Sequence, residues 1–574
     1  MQARLNALTV TAALGALTLG LSACGGSTTT SNSAGTPAKG GTLKIVDAGD
    51  VDHLDTASGY TVTANALERA WTRQLFSYKA SNDIVAGSVI VADAATDIPS
   101  AANGGISADG KTITVHLRPG VKWNTTPARE VVAADWIRGI KRECNPDKNG
   151  AGGNPAYYTA TIAGMAGFCT GFGKVKDTAA DIAAYQNNNQ VSGMVAKDDH
   201  TLVFTLTQPA GDFYNILAMP FASAAPAEYD AYLPDGPDQR QHMLSDGPYA
   251  ITKYDANKEI DFGRNPAWDA STDPLRKAYV NAITVTEGQT SADATEQQVD
   301  AGTADLGYDW APPSTTIATM KASQDARLGI FGGANTNPYL RFNFQSPNDN
   351  KAMGNVHIRQ AIEYAINKVS IAKIYGGLSI NKPIHTVIPP GSVGFRDTNL
   401  YPTPNDQGDP VKCKALLAQG MQELGLKTLA PLKYEYRNSS NHPKVMQSVK
   451  ADLAACGIQI VTTATTPSDY YGKFLPDLNA AKQGKWDLAE PGWNADWPGN
   501  NGRAIVAPLF GSDQCGANGV NYGCWSDPQT DTLIKQAEAA PASQADALWA
   551  QADARIMDQA AMVPFQQQLT PLTR

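Results

Sequence analysis

No basic block runs through this sequence. Lys and Arg total 46 against 55 Asp and Glu, a formal net charge of −9 over 574 residues, which argues against nucleic acid or an anionic membrane surface as partner. Charged residues of either sign make up only 18% of the chain. The seven histidines are scattered, with no pair at i, i+4. Neither H-E-x-x-H nor G-x-S-x-G occurs, so the local signatures of a zinc hydrolase and of a serine hydrolase are missing. No C-x-x-C or Cys/His zinc pattern is present. Beyond the N-terminus no apolar run reaches membrane-spanning length, and at this chain length two or three domains are expected.

What is present begins with Arg4 and a largely apolar run from Ala7 to Leu21, ending in Leu21-Ser22-Ala23-Cys24. A charged start, a short apolar segment and small residues before a cut site are export-signal features. The last four residues resemble the bacterial lipoprotein cleavage box, which would make Cys24 the lipidated first residue of the mature chain. Gly25–Gly41, rich in Ser, Thr and Gly, reads as a flexible tether. Six cysteines then remain: Cys144, Cys169, Cys413, Cys456, Cys515 and Cys524. An even number in an exported chain favours disulfides. Nearest-neighbour pairing (Cys144–Cys169, Cys413–Cys456, Cys515–Cys524) would put one bridge in each region, among fifteen possible pairings.

Periodicity places the elements. Gly41–Ala48 reads as a first strand and Ala64–Gln74 as a helix. Ile113, Val115 and Leu117 alternate on one face of a strand, as do Leu202, Phe204 and Leu206. Thr126-Pro127 reads as the N-cap and first position of a helix carrying Val132, Trp136 and Ile140. Gly247–Arg264 reads as a hairpin turning at Asp255–Lys258, and Val356–Gly377 as one amphipathic helix. A strand at Leu432–Arg437, a helix through Val445, Val449 and Leu453, and a strand at Ile458–Thr463 make an α/β unit. Asn145, Asp147, Asn149 and Gly150 imitate the first half of a calcium loop, but Ala156 stands where the bidentate Glu belongs, so no metal site is assigned. Cys169–Lys174 misses the spacing of a phosphate loop.

The stretch Lys485–Gly502 is the richest in chemistry. Trp486, Trp493 and Trp497 surround Asp496, after the end of a short apolar strand and before a Pro/Gly/Asn run. A carboxylate walled by indoles can hold an ammonium group out of bulk water by Coulomb attraction, cation–π and dispersion contact. The alternative is that the tryptophans are core and Asp496 a turn residue.

Six segments in order resemble the dipeptide- and oligopeptide-binding family of extracellular solute-binding proteins of ABC importers: Thr112–Asn124, Ala196–Pro209, Ser245–Asp255, Phe262–Asp269, Val356–Lys368 and Gly492–Trp497. The resemblance implies a two-lobed α/β fold of the periplasmic-binding-protein type, with a discontinuous first lobe, an inserted subdomain and a two-segment hinge near Arg327–Tyr339 and Pro508–Asp513. It further implies a signal peptide at 1–23, a tether at 24–41 and first-lobe segments at 42–80 and 221–330. The insert would span 81–220, the second lobe 331–510 and a first-lobe return 511–574.

By the same resemblance Asp496 pairs with a peptide's α-amino group, Trp493 and Asn494 line the same wall, and Trp497 stands where relatives often have Tyr or Asn. Arg437 is a candidate for the peptide carboxylate or else a surface arginine. Tyr60 either contacts the ligand backbone or simply packs. The implied protein is not an enzyme and has no cofactor. It would be a monomer on the outer face of a bacterial cell membrane, held by its lipid, with ABC permease subunits and their ATPases as partners and a peptide as ligand. Other ligands in the family (oligosaccharide, metal chelate, haem), a peptide-sensing role and a hydrolase are the competing functions.

Overall fold

A computed structural model of the protein describes residues 37–146, 155–308, 310–333, 335–466, 469–516 and 519–574. Cys24 and the cleavage segment lie outside these residues, as do Asp147, Asn149 and Gly150 of the calcium-like run. Among the described residues no helix is long and apolar enough to cross a membrane.

The protein has the two-lobed α/β architecture, each lobe built on a five-stranded sheet. In the first, Thr42–Val46 lies between Leu306–Gly307 and Ala282–Thr286, parallel to both, and the hairpin Tyr249–Asp255/Glu259–Arg264 completes the sheet antiparallel. Helix Val62–Trp71 covers it. Thr61 caps the helix through Oγ1, which accepts from the Ala64 N–H at 3.3 Å, satisfying one of the orphan donors of the first turn. Ala64, Leu67, Glu68 and Trp71 are its buried face. Val62, Asn65 and Arg69, at i, i+3 and i+7, form another face, whose use appears below.

The insert carries an antiparallel three-stranded sheet in the order Thr112–His116, Thr201–Thr205, Met194–Asp198. The alternating residues Ile113, Val115, Leu202 and Phe204 are buried as their period requires. The helix expected from Thr126-Pro127 starts later, at Ala133, where the Asp135 carboxylate accepts from the Val132 N–H at 3.1 Å. Thr126-Pro127 instead turns the hairpin Lys122–Trp123/Arg129–Glu130; the Thr125 hydroxyl donates to the Pro127 carbonyl (2.8 Å) and accepts from the Arg129 N–H (3.1 Å).

The second sheet runs Ile460–Thr465, Leu432–Arg437, Leu488–Ala489, Tyr339–Phe342, Met562–Pro564. Its first pair is parallel, joined by helix His442–Ala455 as a crossover. The single helix expected over Val356–Gly377 is two, Val356–Ala365 and Lys368–Ile374. Asn367 breaks the run because its side chain caps the second helix, accepting from the Ser370 N–H at 2.9 Å.

The C-terminal segment differs from the expected first-lobe return over 511–574. Helices Gly502–Phe510, Pro528–Ala539 and Ala542–Asp558 share a core with Tyr339. Met562, Val563 and Phe565 are fully buried, and strand Met562–Pro564 pairs with Tyr339–Phe342. Burying so apolar a run is favourable. The end of the chain returns: Thr570–Leu572 pairs with Gly329–Phe331 and the Thr573 hydroxyl donates to Glu296 at 2.7 Å. The chain therefore crosses between the sheets around 331–339 and 565–570, whereas Pro508–Asp513 lies in the helical core of the second side.

Disulfides join Cys144 to Cys169, Cys413 to Cys456 and Cys515 to Cys524, with Cα separations of 5.1, 5.9 and 4.9 Å. The second fastens helix Pro410–Glu423 to the end of helix His442–Ala455. Replacing both Cys413 and Cys456 by Ser is expected to cost about 2–4 kcal/mol of stability by releasing that loop in the unfolded chain. Urea unfolding read at second-lobe tryptophans checks this, with no change expected in an unreduced peptide map of the other two bridges.

Candidate functional site

The three tryptophans around Asp496 have three different environments. Trp486 is core, fully buried beside Tyr470, Leu475 and Tyr522. Trp493 and Asn494 form a short antiparallel pair with Asn335–Thr336 at the crossing between lobes, and the Trp493 indole N–H donates to the Ala504 carbonyl at 2.6 Å. Trp497 is 2% exposed, donates to the Asn500 carbonyl at 2.7 Å and meets the Tyr157 ring edge-on, centroids 4.9 Å apart. These anchors hold the loop that carries Asp496 at a fixed height over the first lobe and the insert.

Asp496 is where three parts of the chain meet. Tyr60 of the first lobe donates its hydroxyl to Oδ1 at 2.9 Å, and Tyr157 of the insert donates to Oδ2 at 2.5 Å. Burial pushes the carboxyl pKa up, while the Tyr157 and Tyr60 hydroxyls pull the other way by hydrogen-bonding the charged form. Among the described residues no Lys, Arg or His lies within ion-pair distance of Asp496. Tyr157 is itself held, its ring between Trp497 and the Arg503 guanidinium (6.0 Å). Burial and the adjacent Asp496 charge raise its pKa well above the ordinary phenol range, so it remains a donor. Arg503 is balanced separately, by Asp212 at 3.4 Å and Glu538 at 3.7 Å.

In front of Asp496 opens a cavity of about 450 Å³, walled by Tyr60, Tyr78, Met219, Phe221 and Trp493 and bordered by Asn494 and Trp497. Its size and its mix of aromatic walls with few polar groups suit a small organic ligand. A depression of about 490 Å³ on the insert, by Arg138 and Lys141, is marginally larger. Its cations are already matched, Arg138 to Asp230 at 2.8 Å and Lys141 to the Gln186 and Asn189 carbonyls at 3.0 and 2.7 Å. We therefore place the site at Asp496. Among the described residues no group of three or more His, Cys, Asp or Glu could hold a metal ion.

Arg437 ends strand Leu432–Arg437 with its guanidinium 5.2 Å over the Tyr471 ring. Its Nε and Nη2 are buried without a hydrogen-bond partner, an expensive state for a cation unless an anion joins it. Arg437 does not line the cavity. The Tyr471 hydroxyl in turn accepts from the Gly492 N–H at 3.0 Å, at the start of the Asp496 loop.

A sequence profile of the bacterial extracellular solute-binding proteins, family 5 (middle region), matches residues 91–510. The chain belongs to this family. A dipeptide-binding protein of Escherichia coli is 29% identical over 451 residues, 76% of this chain and 74% of the relative. Heme-binding protein A of Haemophilus influenzae is 27% identical, covering 80% and 76%. Among solved structures, clavulanic acid biosynthesis oligopeptide binding protein 2 superposes with a TM-score of 0.80 at 23% identity, over 94% of this chain and 92% of that one. A Helicobacter pylori periplasmic binding protein in complex with the peptide STSA gives 0.68 at 19%, over 93% and 94%.

In this solute-binding protein Asp496, Trp493, Asn494, Trp497 and Tyr60 border one cavity, and Arg437 lies outside its lining, against Tyr471. Sequence reasoning did not find Tyr157 or Arg69. Tyr157 follows an Asn/Gly-rich loop with nothing local to mark it, and its partner is 339 positions away. Arg69 could have been noticed from the polar face Asn65/Arg69 on a helix otherwise packed on the sheet. Removing the Tyr157 donor should raise the Asp496 pKa further; carboxyl-carbon NMR titration of Tyr157→Phe against the parent protein checks the direction.

Proposed function

We propose that this protein captures short peptides between its two lobes and delivers them to an ABC permease with its ATPases. The observation that carries this reading is the Asp496 carboxylate: sheltered, hydrogen-bonded by two hydroxyls, with no ion pair among the described residues, and facing an aromatic cavity. A peptide's α-ammonium supplies the missing charge, and the indole and phenol rings exclude water around it. Trp493, Asn494 and Trp497 set the wall, and Tyr60 closes the site from the first lobe. Arg437 receives the carboxylate at the far end of the peptide. Relatives named for dipeptides and for di- and tripeptides support the ligand class. The role is binding and release without chemical conversion.

The protein acts as an exported monomer, tethered through lipid on Cys24 to the outer face of a bacterial cell membrane. A relative named for haem makes a tetrapyrrole the competing ligand, and the visible spectrum of the protein purified from its own host separates the two.

Calorimetry with di- and tripeptides tests the anchor. Asp496→Ala is expected to weaken binding by about 2–5 kcal/mol, since a buried ammonium is left unpaired; an unchanged affinity overturns the reading. Below about pH 7, where the peptide's α-amino group is charged, affinity should depend on pH in one direction. Binding needs the ionised carboxyl, whose pKa burial has raised, so affinity weakens as the pH falls through that raised value. Titration of the binding constant from about pH 7 downward measures this, and Asp496→Ala should flatten the profile.

A further inference from the structure

The cavity in front of Asp496 has a second charged wall that the reading above does not use. Arg69 lies on the helix face Val62/Asn65/Arg69, and all three residues line the cavity together with Asp496. Two hydrogen bonds fix the guanidinium, Nη1 to the Ser77 hydroxyl and Nη2 to the Tyr78 carbonyl, both at 2.8 Å. A guanidinium has five N–H donors, so the rest of the fork is unpaired among the described residues.

It has no direct ion pair either. The arginines behind it are matched: Arg73 pairs with Asp93 at 2.8 Å, and Arg276 with Asp93 at 2.8 Å and Asp273 at 3.4 Å. Among the described residues no carboxylate lies within ion-pair distance of Arg69 itself. Burial, and then the Arg276 charge, pull its pKa down, against a weaker upward pull from Asp93 and Asp273. The same cavity thus offers a carboxylate and a guanidinium that each lack a direct ion pair among the described residues, with Tyr60, Tyr78 and Phe221 on its wall.

We propose that Arg69 makes this cavity a subsite for an acidic side chain, carried by the same ligand residue whose ammonium group Asp496 receives. The inference rests on the reading of Asp496 as the ammonium anchor. With that group seated, the side chain of the first residue enters the cavity, and a carboxylate there completes the guanidinium fork. The ligand class is narrowed to short peptides beginning with Glu or Asp.

The test is calorimetry with Glu-Ala and Gln-Ala, which differ only in that charge, and with Gln-Ala amide, which lacks the terminal carboxylate. The parent protein is expected to bind Glu-Ala about tenfold or more tighter than Gln-Ala. Arg69→Met should bring the two affinities together, by weakening Glu-Ala binding more than Gln-Ala binding. Arg69→Lys, which keeps the charge and can still reach Ser77, should retain a reduced preference and serves if Arg69→Met folds poorly. Equal affinities in the parent, or a preference that persists in Arg69→Met, overturns the assignment. So does a penalty for amidation that disappears in Arg69→Met, because the guanidinium would then be holding the chain end. Asp496→Asn with Gln-Ala separates the two levels: if its binding is not weakened the anchor reading fails, and if it is weakened while the Glu/Gln ratio ignores Arg69, only the subsite fails.

Discussion

An ionised carboxyl that is partly withdrawn from water has to be compensated, and at Asp496 the protein compensates it with hydroxyls rather than with a cation. Two phenol donors lower the cost of the charge without neutralising it. That choice organises the rest. Tyr60 has to come from the first lobe, Tyr157 from the insert and the carboxylate from the second lobe, so the three regions are brought to one point. Arg503, which could have neutralised Asp496, is turned to Asp212 and Glu538 and touches the site only through the face of Tyr157. A neutralised carboxylate would have lost its attraction for a cationic ligand.

The walls follow the same division of labour. Trp497 stiffens the loop from below and Trp493 ties it to the helix Gly502–Phe510 through Ala504. Both indole N–H groups are occupied by carbonyls, so the rings offer surface, not hydrogen bonds. Polar recognition is left to few groups on an otherwise aromatic wall. The disulfides lie within single regions and leave the crossings at 331–339 and 565–570 without a covalent cross-link.

Much of this was legible in the sequence wherever a local rule decides the outcome. Ile113/Val115 and Leu202/Phe204 alternate because one face of their sheet is buried, and the hairpin ending at Arg264 follows from its turn. Asp496 stood out because a carboxylate among tryptophans is locally unusual. Reading failed where distant packing overrides local preference. Asn367 looks like an ordinary helical position until its side chain caps a new helix, and Thr126-Pro127 looks like a helix start until Thr125 closes a hairpin. The tryptophans could not be told apart locally, since Trp486 differs from Trp497 only in what covers it. Tyr157 and Arg69 were silent because their partners come from elsewhere in the chain. The segment Met562–Phe565 was assigned to the wrong sheet because a short apolar run carries no information about which sheet it joins.

That last strand has a consequence for how the protein is made. Every strand of the first sheet lies before residue 308, so a chain emerging from its N-terminus can finish that sheet early. In the second, Tyr339–Phe342 is flanked on one side by Leu488–Ala489 and on the other by Met562–Pro564. Until the final residues emerge, this buried, apolar strand keeps a bare edge, the kind of surface that recruits other chains. Nascent protein is thus exposed to mispairing at this edge, and a premature stop shortly before residue 562 would leave it open for good.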